Sequence, residues 1–85
     1  MEDEEIKNYG PQPLGDILGE VGLDNHDLVN ASTEQLTHKQ VQKARKGRRV
    51  TKNIQKKVFT ALVAALAEKS IEREVRQKDL FNYRA

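Results

Sequence analysis

Lys39, Lys43 and Lys46 recur at spacings of four and three, with His38 and Gln42 among them and Arg48, Arg49 and Lys52 directly after. Positions three and four apart share one face of a helix. One side of residues 38–46 would therefore carry ammonium donors, an amide and an imidazole. Residues 35–67 contain nine bases and no acid, a net charge of +9. Such a block repels itself and opposes compaction, so it makes most sense where a polyanion supplies the missing charge. The plainer alternative is a solvated basic face balanced within the chain. Residues 1–34 carry nine acids against the single base Lys7, a net of −8, and the whole chain sums to only +2.

Other chemistries find little support. There is no cysteine among the 85 residues, hence no disulfide framework and no cysteine-based zinc site. His26 and His38 lie far apart in sequence with no further ligand of their type, so neither a metal nor another cofactor is expected. No Gly-rich phosphate loop and no Ser-His-Asp set is present, and the carboxylates Asp16, Glu20, Asp24 and Asp27 fall on solvent faces. The expectation is a protein that is not an enzyme. The chain opens Met1, Glu2, Asp3, Glu4, Glu5, unlike a basic signal peptide, and its longest apolar run, residues 58–67, is too short to span a bilayer. A cytoplasmic protein is expected, associated with the nucleoid if it binds DNA.

The elements that must position these side chains read as helices. Pro13 suits a first helical position, and Leu14, Ile17, Leu18 and Val21 form one stripe ended by Gly22. Asp24 or Asn25 offers the cap of a short second helix carrying Leu28, Val29 and Ala31, which ends within residues 32–35. Thr37 with Gln40 has the form of a capping box, so a third helix begins at His38 and stops at Gly47. Its apolar face is only Val41 and Ala44. Thr51 caps the fourth helix, whose stripe of Ile54, Val58, Ala61, Leu62, Ala65 and Leu66 keeps its spacing through Ile71 and Val75. The expected fold is an all-α compact bundle of four helices, or five if the C-terminal residues form another. Residues 1–12 would be a disordered acidic arm, 13–76 the domain and 77–85 a C-terminal tail. Leu80, Phe81 and Tyr83 in that tail either fold back over the core or dock a protein partner.

In a helix-turn-helix a short helix braces a second one that lies in the major groove. Residues 37–46 have the required distribution, with Val41 and Ala44 inward and His38, Lys39, Gln42 and Lys43 outward. Gln42 can pair bidentately with adenine and the lysines with guanine, while Thr37 can meet a thymine methyl or a phosphate. Here the sequence resembles the phage-repressor and Cro type of helix-turn-helix domain, with the lactose-repressor headpiece as a related form. The resemblance rests on Leu28 and Val29 in the bracing helix, Leu36 and Thr37 before the next, Val41 within it, and Lys46, Gly47, Arg48 and Arg49 after it. Val50 and Thr51 leading to Val58, Ala61 and Leu62 complete it. It covers residues 14–66 and runs without a gap from Leu36 to Leu62. The connection from Leu28 to Leu36 is about two residues longer than usual and lacks the customary glycine, and Ala44 is smaller than the usual branched residue.

The resemblance implies a transcription regulator of duplex DNA that acts as a homodimer. It assigns base reading to Thr37, His38, Lys39, Gln42 and Lys43, and phosphate contact to Lys46, Arg48, Arg49 and Lys52. The competing expectation is a protein-interaction adaptor that has the fold without sequence-specific DNA binding.

Overall fold

The structure, a computed structural model, describes residues 9–82. Four helices follow one another, α1 (Pro13–Val21), α2 (Asn25–Ala31), α3 (His38–Lys46) and α4 (Lys52–Glu68), and a short 3-10 turn covers Gln77–Asp79. The protein is a compact all-α bundle. The 17-residue α4 is its spine, with α2 packed on it, α3 packed on α2 and α4, and α1 on α3. Among the described residues no helix is long and apolar enough to cross a membrane.

Local chemistry sets the ends of each helix. Gly22 takes a left-handed φ of 75°, with its N–H bonded to Gly19 and the N–H of Leu23 to Leu18 (2.9 Å), and so closes α1. Asp24, not Asn25, caps α2, in a reciprocal box with Asp27. Helix α3 opens on the expected box, the Thr37 hydroxyl accepting from the Gln40 N–H at 3.1 Å and the Gln40 side chain from the Thr37 N–H at 3.0 Å. Gly47 closes it at φ 93°. Thr51 caps α4 through Ile54 N–H.

The core is the set of faces the apolar stripes specify. Leu14, Leu18, Leu28, Val41, Ala44, Val58 and Leu62 are wholly shielded from solvent, and Leu36 closes the layer between α2 and α3. In the longer connection Ser32 Oγ both accepts from the N–H and donates to the carbonyl of Glu34, which makes a compact turn without glycine. Gln55 is also buried, and its Nε2 has no hydrogen-bond partner among the described residues.

Two expectations need correction. Helix α4 does not continue through Ile71 and Val75. It ends at Glu68 because Ser70 adopts φ 55°, and the Ile71 N–H returns to the Leu66 carbonyl (2.9 Å) in the pattern usually built on glycine. Ile71 and Val75 pack against the core from an irregular segment. Secondly, residues 9–12 are not part of a disordered arm. The N–H of Tyr9 bonds the Gly47 carbonyl (2.8 Å), that of Gln12 bonds the Arg45 carbonyl (3.1 Å), and Gln12 is 1% exposed. The rest of the expected arm, residues 1–8, lies outside the described residues.

The tail takes the first of its two expected courses and folds back over the core. Leu80 and Phe81 are core side chains, at 0% and 7% exposure; Tyr83 lies outside the described residues. The Leu80 carbonyl accepts from the Leu14 N–H at 3.0 Å, giving an otherwise orphaned donor at the start of α1 its partner.

Candidate nucleic-acid interface

Burying Val41 and Ala44 orients α3, and the rest of its surface follows from that anchorage. Thr37, His38, Lys39, Gln42, Lys43 and Lys46 all face solvent, as do Arg48 and Arg49 in the connector and Lys52 at the start of α4. Lys39, Gln42, Lys43, Lys46 and Arg48 line one open groove of about 490 Å³. Thr37, His38, Arg49 and Lys52 do not line it, although each is exposed on adjoining chain. No acid stands in the first turn of α3 or α4. Three acids elsewhere are met by C-terminal cations: Asp27 by Lys69 at 3.7 Å, Glu20 by Arg73 at 3.2 Å and Asp79 by Arg76 at 3.6 Å.

His38 is not simply solvated. Its ring stacks on that of His26 in α2, with centroids 5.7 Å apart and planes 22° from parallel, and His26 Nε2 lies 3.0 Å from Asn30 Nδ2. This contact ties the start of α3 to α2. The Asp27 carboxyl in α2 is held below the usual aspartate range. The Asp24 N–H donated to its carboxylate is the chief cause; desolvation opposes it, and the Asp24 side chain and the charges of Lys69 and His26 lower it further.

Two residues matter here that sequence reasoning passed over. Arg45 runs from α3 past Gly15 of α1 and donates from Nη1 to Asn25 Oδ1 at 2.8 Å. Asn25 Nδ2 in turn donates to Gln42 Oε1 at 2.9 Å. Asn25 is thus the hinge between a half-buried cation and an amide in the groove. Nothing local signals this, because the partners are 17 and 20 residues away in sequence.

No family model, curated protein or solved structure matches the chain.

Proposed function

We propose that the protein binds duplex DNA through α3 as a transcription regulator of the helix-turn-helix kind that its sequence resembles. The observation that carries this is the α3 surface. Its two apolar side chains are spent on the core, and its amide and lysines line one open groove with Arg48. A B-DNA major groove is ~12 Å wide and admits a helix, and nine residues of α-helix are ~13 Å long, enough to reach a few base pairs. In this arrangement Thr37, His38, Lys39, Gln42 and Lys43 face base edges, and Lys46, Arg48, Arg49 and Lys52 hold phosphates. One such helix reads too few base pairs for a unique site, so two copies on half-sites about one turn apart are required.

Titration against genomic DNA fragments at two salt concentrations tests the proposal. Four phosphate contacts per copy correspond to a slope of about −4 in log K against log salt, and Arg48→Ala should weaken all sequences alike and reduce the slope by about 1. No complex at low salt would refute DNA binding, and equal affinity for every fragment would reduce the role to a nonspecific one.

The adaptor alternative retains one observation. Val63 is 43% exposed and, with Leu66, Ala67, Ile71 and Val75, borders an open depression at the far end of α4 that Glu72, Arg73 and Glu74 also line. If Val63→Glu abolishes capture of a partner while Arg48→Ala leaves it intact, the adaptor reading prevails.

A further inference from the structure

Gln42 is expected to read adenine, because a glutamine amide matches the donor and acceptor of the adenine edge. The three-residue relay behind it points elsewhere. We infer that Arg45 and Asn25 fix the polarity of the Gln42 amide so that it meets the DNA as a donor and selects an acceptor edge, guanine O6 and N7 or thymine O4. The inference rests on the DNA-binding proposal and specifies what that surface recognises.

The polarity follows from what each group can do. A guanidinium only donates, so the atom of Asn25 that meets Arg45 Nη1 at 2.8 Å has to be the oxygen. The amide nitrogen of Asn25 is then turned to Gln42, and what it meets at 2.9 Å has to be an acceptor, Oε1. With Oε1 held toward α2, the Gln42 amide offers its Nε2 protons to the groove it lines with Lys39, Lys43, Lys46 and Arg48. Bidentate pairing with adenine needs Oε1 on the base edge beside Nε2, and the bond to Asn25 draws it away.

The relay is fixed at its far end. Arg45 is half-buried, and its Nε lies 3.8 Å from where a side chain on Gly15 would begin, so it runs in contact with α1. Asn25 occupies the first position of α2, whose cap is the separate box of Asp24 and Asp27. Substituting Asn25 therefore leaves the helix start intact. Asn25 and Arg45 are positioning residues, acting on DNA through Gln42.

Selection of binding sites from a random duplex library, with wild type and variants in parallel, tests this. Gln42→Ala identifies the position that Gln42 reads, as the one whose preference disappears. Wild type should favour guanine or thymine there over adenine by about tenfold. Asn25→Ala should admit adenine and bring that ratio near one. Asn25→Asp is the decisive variant, because a carboxylate still accepts from Arg45 but cannot donate to Gln42. The Gln42 amide should then reverse, and the preference should move to bases that present a donor, adenine or cytosine. An aspartate at the first position of a helix also suits the helix dipole, so this variant should fold.

In the DNA-free protein, Arg45→Met should shift the side-chain amide resonances of both Asn25 and Gln42, while Arg45→Lys, which still donates, should largely restore them. Adenine at the Gln42 position in wild type, or an unchanged preference in Asn25→Asp, overturns the inference while leaving DNA binding intact. No enriched sequence from wild type overturns the DNA-binding proposal itself and the inference with it.

Discussion

Gly47→Ala should damage this domain far more than an ordinary glycine substitution. At φ 93° an alanine is strained, at a cost of about 1–2 kcal/mol. Its Cβ would also fall on the Gly10 carbonyl group, closer than any real contact permits, and the obstacle is backbone, not a mobile side chain. Residues 9–12 would have to leave the end of α3. That would break the bonds from Tyr9 N–H to Gly47 (2.8 Å) and from Gln12 N–H to Arg45 (3.1 Å). At about 1 kcal/mol net for each bond, the total loss is about 3–4 kcal/mol, a large part of the stability of so small a domain. Thermal unfolding followed by circular dichroism should show Tm falling by about 12–30 °C.

Gly22→Ala is the internal control. It shares the left-handed conformation at φ 75° but has nothing within 4 Å of the new atom. Only the strain remains there, about 1–2 kcal/mol. Deleting residues 1–10 removes the obstacle, so Gly47→Ala in the shortened chain should cost no more than Gly22→Ala, a non-additivity that a double-mutant cycle reads directly. Equal losses for the two alanines in the full chain, or an undiminished cost after the deletion, would show that the packing of residues 9–12 on α3 contributes nothing.

Three other perturbations have definite outcomes. Leu80→Ala, which empties a wholly buried site between the tail and α1, should cost about 2–5 kcal/mol in urea unfolding. A loss under 0.5 kcal/mol would mean that the tail does not close the core. Gln55→Met replaces a buried amide whose Nε2 is unpartnered by a side chain of similar length, and should raise stability by about 1–3 kcal/mol; a decrease would point to a partner for that nitrogen. Asp27, whose folded-state pKa is depressed, contributes stability that is present above the ordinary aspartate pKa of about 3.9 and is lost as pH falls through its own lower value. Asp27→Asn should accordingly flatten the acid limb of the stability–pH curve below about pH 4, and an unchanged limb would contradict the assignment.

What the sequence made legible was local. Thr37 with Gln40, Gly22 with Leu23 and Gly47 act within one helical turn, and each delimits the helix it was read to delimit. The end of α4 escaped because a serine holds the left-handed position, while Ile71 and Val75 keep a helical spacing that an irregular segment can equally use to reach the core. The expected contact residues are exposed because burial of Val41 and Ala44 dictates which face of α3 turns outward. The relay through Asn25 was illegible for the opposite reason. It joins α2 to two points on α3, and only the packing of one helix on the other brings them together. Gln12 was similarly hidden: a polar residue in an acidic, proline-rich stretch gives no hint that its amide is buried between Gly10 and Asn82.

That amide also determines how the domain can be connected to other chains. Gln12 Oε1 accepts from the Asn82 N–H at 2.8 Å, and with the bond from Leu14 N–H to the Leu80 carbonyl it holds the first and last described stretches together. Described stretches that meet in this way need no long span of linker between them. The unit can be spliced into a surface loop of a host protein with little distortion of that loop. Both junctions would lie near Gln12, beside the pocket that Pro11 and Gln12 share with Gln42 and Lys46 of α3.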